Sequence, residues 1–232
     1  MIPWLKTPLD FPVVDAALPE PNGLLCAGGD LAPATILKAY SRGIFPWYSE
    51  GQPILWWSPD PRMVLFPDEF KVSKSLAKTA RSGKFDIRFD SAFADVMTGC
   101  AAPRTLDGST WIVEDMQAAY TRLHQLGFAH SVESWRNGEL VGGLYGIALG
   151  RMFYGESMFA RVTDASKVAL VALVDKLKRD GFALIDCQQE TRHLASFGAR
   201  PIARKEFTRR LQELVVFNTA MPPTSSWTLP DA

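Results

Sequence analysis

The stretch over residues 130–167 constrains the fold of this chain more than any other, because it contains three short strand patterns, tight turns and a helix start. Asn137-Gly138 separates two of these strands, and a two-residue type I′ turn needs the positive φ that Asn and Gly adopt most readily. A second turn is predicted at Leu149-Gly150. The stretch therefore predicts a three-stranded antiparallel meander.

Glycines interrupt the predicted strands at positions 142, 143, 146 and 155. Glycine weakens a strand unless another group comes close to its backbone. Large apolar side chains lie among these glycines, together with one carboxylate, Glu156. Two interpretations stay open at this point: the wall and floor of a substrate pocket, or a meander that bends around its own core.

The rest of the chain mixes helix and strand patterns. Helices are predicted over 114–127, after residue 164 and around 204–210, and 182–187 is a short apolar strand. Asp30 is a predicted cap for a helix that runs through Tyr40 and ends at Gly43. After it, the prolines and aromatic side chains of residues 43–62 exclude a regular helix or a central strand. We predict a mixed α/β (α+β) fold with an irregular, aromatic-rich N-terminal domain over 1–64 and a larger domain over 65–232. The last fifteen residues contain two consecutive prolines and are predicted to be loosely held.

Composition excludes several classes of function. The chain has 25 Lys and Arg against 25 Asp and Glu, so no net charge attracts nucleic acid or membrane. Its three cysteines are far apart and form no metal-ligand pattern with the histidines, which predicts reduced core cysteines and no metal site. No signal peptide or membrane helix is predicted, so we expect a cytoplasmic protein. The absence of phosphate-binding glycine motifs disfavours nucleotide-cradling enzymes.

Positive charge is nevertheless concentrated locally. Residues 71–88 carry six basic side chains against one acid, and Ser73 is a predicted N-cap for a helix in this segment. Such a run is either a solvated helix face or a surface for a polyanion, because clustered phosphate contacts give sequence-independent affinity. The candidate polyanion-binding residues are Lys71, Lys74, Lys78, Arg81, Lys84 and, in a second basic segment, Arg204.

An acid and an amide end the apolar strand over 182–187. Asp186 and Gln188 are two residues apart, which in a regular strand places both side chains on one face. If this strand pairs beside the third meander strand, Glu156 joins them in one cleft. Either acid can serve as a base or hold an amine, whereas Gln188 can only orient a nucleophile or donate to an oxyanion. No Ser or Cys has a convincing His and acid partnership, which disfavours a covalent intermediate.

Long motifs along the chain resemble one family, the leucyl/phenylalanyl-tRNA–protein transferases. The similarity extends over about residues 20–215, and agreement of this length does not arise by chance. The motifs are PNGLLCAGGDL (21–31), AYSRGIFPWY (39–48), PILWWSPDPR (53–62), TWIVEDMQAAYTRLHQLGFAHSVESW (110–135), LVGGLYG (140–146), GESMF (155–159), ASK (165–167) and IDCQ (185–188), followed by His193 and FGA (197–199).

The resemblance implies transfer of Leu, Phe or Met from aminoacyl-tRNA to the α-amine of a protein or peptide that begins with Arg or Lys, as a degradation signal. It implies a GNAT-like acyltransferase fold for the C-terminal domain, and no metal or nucleotide cofactor. By the same resemblance Asp186, Gln188 and Glu156 are the catalytic candidates. The matching substrate-binding candidates are Trp47, Trp111 and Phe153 around the terminal adenosine, Leu144, Met158 and Ile185 around the amino-acid side chain, and Tyr120. The two basic segments become candidate tRNA contacts.

One position departs from the family pattern, because residue 144 is Leu where the family leads us to expect Met. Both side chains are apolar and of similar volume, so we expect the pocket to persist. The exchange bears on the ranking among Leu, Phe and Met, since methionine adapts its shape more readily than leucine.

The expected chemistry needs positioning more than a strong base. An aminoacyl ester is already activated, and an α-amine with a pKa near ~8 is partly free base at neutral pH. We predict that Asp186 orients or deprotonates the amine while Gln188 fixes its geometry. In the competing mechanism a tRNA ribose hydroxyl carries the proton and these residues only position the substrates.

Two other functions compete with this one. A CoA-dependent small-molecule N-acyltransferase would need a glycine-rich phosphate loop, and the bulky, acidic segment over 158–167 occupies its place. A non-catalytic tRNA-binding module would leave the Asp186 and Gln188 pair without a purpose.

Overall fold

The computed structural model describes residues 2–6, 10–102, 111–215 and 227. The first part of the chain forms a small sheet in the order β1-β2-β4-β3 and one helix. Its elements are β1 (Trp4–Leu5), β2 (Leu24–Gly28), α1 (Pro33–Tyr40), β3 (Phe45–Pro46) and β4 (Leu55–Trp57). The short, proline-bounded strands agree with the irregular N-terminal part that the sequence predicts.

The remaining elements build a seven-stranded sheet in the order β11-β5-β10-β9-β8-β7-β6. They are β5 (Arg62–Leu65), α2 (Lys74–Arg81), β6 (Asp86–Phe89), α3 (Phe93–Ala101), α4 (Glu114–Gln125), β7 (Ala129–Arg136), β8 (Glu139–Leu149), β9 (Met152–Ala160), α5 (Ala165–Arg179), β10 (Leu184–Gln188), α6 (Arg192–Ala195), β11 (Arg200–Ile202) and α7 (Arg204–Leu214). The mixed α/β fold is confirmed. The division at residue 64 stays a prediction.

The predicted meander is present as β7, β8 and β9, paired antiparallel. Asn137 and Gly138 have φ of 53° and 80°, which confirms the hairpin turn. The second turn occupies Gly150 and Arg151, one residue later than predicted, because β8 continues through Leu149. The meander therefore forms the centre of the large sheet.

β10 lies beside β9 and runs parallel to it, which confirms the pairing on which the predicted cleft depends. The pairing runs from Leu184 opposite Met152 to Asp186 opposite Tyr154 and ends there. Beyond this point each strand is irregular: the register against its other neighbour shifts at Glu156 in β9 and at Cys187 in β10. Such bulges re-aim side chains, and here they occur side by side.

The two faces of the large sheet bury separate apolar cores. On one face Leu144, Phe153 and Ile185 pack with Leu173 of α5. On the other face Tyr154 belongs to a core that includes residues of α1, α3, α4 and the small sheet. Successive residues of β9 and β10 therefore point into different environments.

Trp227 is an exception within the tail that was predicted to be loosely held. Its indole is 5% exposed and stacks on the His130 ring with centroids 4.0 Å apart. The ring centroid of Phe153 lies 5.7 Å from it. The rest of the last fifteen residues lies outside the described part of the chain.

Among the described residues, no helix is both long and apolar enough to span a bilayer. Cys26, Cys100 and Cys187 are free thiols, as predicted.

Candidate active site

A cavity of about 430 Å³ opens where β9 and β10 stop pairing. Its wall is mainly apolar and comes from the meander, β10, α5 and the aromatic segment after α1. Eight of the predicted site residues line it: Trp47, Trp111, Leu144, Phe153, Glu156, Met158, Ile185 and Gln188. These predicted residues therefore lie together in one cavity, and the irregular strand ends supply its opening. Their contact with substrate stays a prediction.

The polar end of the cavity is built from Glu156 and Gln188. The Gln188 amide Nε2 donates to Glu156 Oε1 at 3.1 Å. The hydroxyl of Tyr40 donates to the same oxygen at 2.7 Å, and the hydroxyl of Tyr120 donates to Oε2 at 3.2 Å. The two hydroxyl oxygens are 2.6 Å apart, so the four side chains form one hydrogen-bonded group.

Burial raises the pKa of Glu156 to about 8. Hydrogen bonds from Tyr40 and Tyr120 and the positive charge of Arg62 lower this pKa, whereas the negative charge of Asp186 raises it further. A carboxyl group with a pKa in this range exchanges protons near neutral pH, as a general base should.

Asp186 does not share this face, which corrects the prediction that Asp186 and Gln188 point the same way. The register against β5 shifts between Asp186 and Gln188, and Gln188 has a φ of 61°, so the alternation of a regular strand is broken. Ile185, Cys187 and Gln188 line the cavity, whereas Asp186 is fully buried and is not part of its lining. Asp186 instead binds Arg62.

Two residues of this site were missed in the sequence. Tyr40 lies in α1, and Arg62 lies at the start of β5, 116 and 124 residues from their respective carboxylate partners. Both stand inside quoted motifs, but neither the helical pattern around Tyr40 nor the turn-rich segment before Arg62 indicates a partner so distant. Tyr120, predicted to bind substrate, is fully buried and touches Glu156 rather than lining the cavity.

No thiol of the cavity is prepared for nucleophilic attack. Burial raises the pKa of Cys187 well above its ordinary value, which keeps the thiol protonated. The absence of a covalent intermediate stays a prediction.

The predicted tRNA-binding residues divide into two groups. Lys71, Lys74, Lys78, Arg81 and Lys84 are all exposed, and Ser73 caps α2 as predicted by accepting from the Leu76 N–H at 3.2 Å. Within the described ranges, none of these five side chains forms an ion pair with an acid. Arg204 differs, because its guanidinium donates to the Ser58 carbonyl at 2.6 Å.

Comparison with known protein families gives two matches along the chain. Residues 64–212 match the model of the leucyl/phenylalanyl-tRNA protein transferase family. Residues 29–60 match the model of the N-terminal domain of the same transferases.

Individual relatives agree with these matches. The chain is 61% identical over 215 residues to a leucyl/phenylalanyl-tRNA–protein transferase from Nitrosospira multiformis, covering 93% of each chain. It is 58% identical over 228 residues to one from Stutzerimonas stutzeri, covering 98% of this chain and 99% of the other. Among solved structures, a GCN5-related N-acetyltransferase from Kribbella flavida is similar at a TM-score of 0.35 and 10% identity, covering 74% of this chain and 61% of that one.

Proposed function

Because the chain belongs to the leucyl/phenylalanyl-tRNA–protein transferase family, we propose that it transfers Leu, Phe or Met to proteins that begin with Arg or Lys. Membership of this family makes it an aminoacyltransferase, which moves an amino acid from its tRNA to a protein N-terminus. The observation that carries this finer assignment is the cavity, whose apolar wall ends at the Glu156 and Gln188 pair. An aliphatic or aromatic apolar side chain fits such a wall, and a polar end suits an amine.

We propose that the amino-acid side chain and the terminal adenosine of the aminoacyl-tRNA occupy different parts of the cavity. Leu144, Met158 and Ile185 contact the amino-acid side chain, and Trp47 and Trp111 lie around the terminal adenosine. Trp47 is 37% exposed and packs edge-on against Trp57 with centroids 5.5 Å apart, so one of its faces is available for a base to stack on. Phe153 supports both groups from the floor.

At the polar end we assign proton exchange to Glu156. A free α-amine has a pKa near ~8, close to that of Glu156, so a proton passes between them with little energetic penalty. The amine nitrogen then attacks the ester carbonyl carbon, the new C–N bond forms and the C–O bond to the ribose breaks. The ammonium proton of the acceptor first passes through Glu156 to solvent, which leaves the free amine. The second proton, which the nitrogen loses as the C–N bond forms, then passes from Glu156 to the ribose oxygen. The product is an amide on the acceptor protein and a tRNA with a free terminal hydroxyl.

Gln188 positions the amine in this scheme. Its Nε2 is engaged by Glu156, and within the described residues no hydrogen bond reaches its amide oxygen. That oxygen is an acceptor for an amine N–H, which aims the nitrogen lone pair at the ester. Asp186 does not contact the amine directly in this arrangement.

Transfer is tested with labelled Leu-tRNA and a peptide that begins with Arg. We expect labelled product with the free peptide and none with the same peptide acetylated at its N-terminus, since the acetylated nitrogen has no lone pair available for attack. A peptide that begins with Glu serves as the control for acceptor choice. Two results would refute the transferase assignment. One is transfer of an acyl group from a CoA thioester to a small-molecule acceptor, and the other is binding of tRNA without any labelled product.

The basic face of α2 is the proposed contact to tRNA. α2 packs on α5, and Leu170 and Leu173 of α5 line the cavity, so tRNA on α2 lies beside its own aminoacyl end. We expect Lys74→Glu combined with Lys78→Glu to weaken tRNA binding by about tenfold or more at low salt and to reduce the salt slope by about two.

The matched control for this prediction is Arg209→Glu. Arg209 is equally basic but is paired with Glu206 and Glu213 on α7. Binding curves over a series of salt concentrations decide the question. An unchanged salt slope in the α2 variant would remove this surface from the proposal.

We also propose that the protein acts in the cytoplasm, where its three thiols stay reduced and charged tRNA is available. The division into domains over 1–64 and 65–232 is part of the same proposal. It can be checked by limited proteolysis.

A further inference from the structure

A buried ion pair joins the start of β5 to the end of β10. Arg62 Nε donates to Asp186 Oδ1 at 2.8 Å, and Nη2 donates to Oδ2 at 2.7 Å. The two side chains are 1% and 0% exposed. This bidentate geometry is the strongest form of Arg–carboxylate contact, and it occupies both carboxylate oxygens.

Arg62 is itself held from three further sides. Its Nη1 donates to the Gly43 carbonyl at 3.1 Å, and its guanidinium lies 4.7 Å from the ring centres of both Phe45 and Phe207. These partners come from the turn after α1, from β3 and from α7. The position of the guanidinium is therefore fixed by the fold and does not depend on a substrate.

Asp186, which Arg62 holds in place, in turn fixes the backbone of Gln188. The backbone N–H of Gln188 donates to Asp186 Oδ1 at 2.9 Å, and Gln188 has a left-handed φ of 61°. A residue other than glycine is strained there unless its surroundings hold it. The bulge that results turns the Gln188 side chain into the cavity, where it meets Glu156.

We propose that Arg62 is a positioning residue for aminoacyl transfer: it anchors Asp186, and Asp186 holds the strained Gln188 backbone so that the amide faces the acceptor amine. This inference rests on the proposed function and assigns Asp186 to positioning rather than to proton transfer. The geometry supports it in two ways. Asp186 does not line the cavity, and both of its oxygens already accept hydrogen bonds.

The first experiment compares Arg62→Gln, Asp186→Asn and the double variant in steady-state transfer. Each single change leaves one buried group without its partner, so we expect kcat to fall by about tenfold or more while KM for aminoacyl-tRNA changes by less than about threefold. The double variant removes both charges and keeps an amide oxygen for the Gln188 N–H. We expect it to regain at least about fivefold over Asp186→Asn.

A proton-accepting Asp186 gives the opposite result. The double variant would then be as inactive as Asp186→Asn, because no carboxylate has been restored. That outcome, in folded protein, would overturn the inference.

The second experiment asks whether Arg62 acts through Gln188. In a Gln188→Ala background, Arg62→Gln should lower kcat by no more than about twofold further, since the side chain that it positions is already gone. Losses that multiply would show an independent role for Arg62 and would also overturn the inference. Thermal unfolding of every variant identifies any that do not fold.

If Arg62→Gln does not fold, Arg62→Lys takes its place. Lysine keeps the positive charge beside Asp186 but cannot form the bidentate hydrogen bond, so we expect a partial loss of kcat with little change in KM. No loss at all would count against the positioning role.

The matched control is Arg200→Gln in β11. Arg200 also pairs with a carboxylate, that of Glu69 at 3.0 Å, but both side chains are 48% exposed. We expect transfer within about twofold of the unmodified chain. An unmodified chain that transfers nothing would refute the proposed function, whereas normal transfer with additive losses would refute only the role of Arg62.

Discussion

Replacing Gly146 with alanine is expected to lower the free energy of unfolding by about 3 kcal/mol and the melting temperature by about 6–12 °C. A Cβ at this position would overlap the backbone carbonyl of Tyr154 and would lie 2.6 Å from the Phe153 ring. Both groups belong to the paired strand β9, so its backbone and the Phe153 ring have to shift to admit the Cβ. Because Phe153 forms the cavity floor, we expect aminoacyl transfer to fall by more than about tenfold as well.

Gly155→Ala is the control that the sheet itself provides. Gly155 pairs with Gly146 across the same two strands, but the nearest atom to its added Cβ is the Asp186 carbonyl at 3.7 Å, an ordinary contact distance. We expect its melting temperature to stay within about 3 °C of the unmodified chain. Differential scanning calorimetry of both variants measures this. Equal melting temperatures would show that the strand adjusts and that Gly146 is not required.

These two glycines show how far the sequence determines the site. Glycine within a predicted strand indicated a close approach, and two interpretations were open. Both hold at different positions: Gly142, Gly143 and Gly146 lie against other protein atoms, whereas Gly155 lines the cavity. The pattern of glycines alone does not say which atoms approach, because these atoms come from other strands and from side-chain rotamers.

The meander was predictable because its information is local. Asn137-Gly138 specifies the turn, and alternation specifies the strands on either side. The parallel pairing of β10 with β9 was also within reach, since a helix connects them and residues 182–185 are a continuous apolar run. The apolar cavity residues followed from motifs whose positions the structure brings together.

The environment of Asp186 was not predictable by the same means. A strand alternates with period two, and this rule placed Asp186 beside Gln188. A bulge breaks the rule at one residue, and nothing in the sequence IDCQ indicates it. The partner of Asp186 is Arg62, 124 residues away, and the position of Arg62 depends on the completed fold. The alternation of side chains along a strand cannot predict a long-range ion pair of this kind.

Glu156→Gln is expected to lower aminoacyl transfer by about 100-fold or more, because the amide cannot take the proton of the incoming amine. Glutamine has nearly the same size, and its oxygen still accepts from Tyr40 or Tyr120. In the unmodified chain we expect the rate to rise with pH toward about 8, the pKa of Glu156. The variant should retain only the dependence that comes from the amine. A loss of a few fold or less would exclude Glu156 as the proton acceptor.

The same substitution is expected to change how stability depends on pH. Burial raises the pKa of Glu156 from 4.5 to about 8, so between these values the folded chain binds a proton that the unfolded chain has lost. The stabilisation is therefore fully present below pH 4.5 and disappears as pH rises through about 8. Because the side chain borders an open cavity, we expect its contribution to be about 2 kcal/mol, less than the full shift implies.

Chemical denaturation at a series of pH values from 5 to 9 distinguishes the two chains. The unmodified chain should lose stability across this range more steeply than Glu156→Gln. Other groups contribute equally to both chains, including the buried Glu133, whose pKa is also raised by burial. Tyr40→Phe provides the opposite test. It removes a hydrogen bond that lowers the pKa of Glu156, so the loss of stability should move to higher pH. Parallel curves for all three chains would mean that Glu156 is ionised throughout, and the carboxyl group would then hold the acceptor by charge without exchanging its proton.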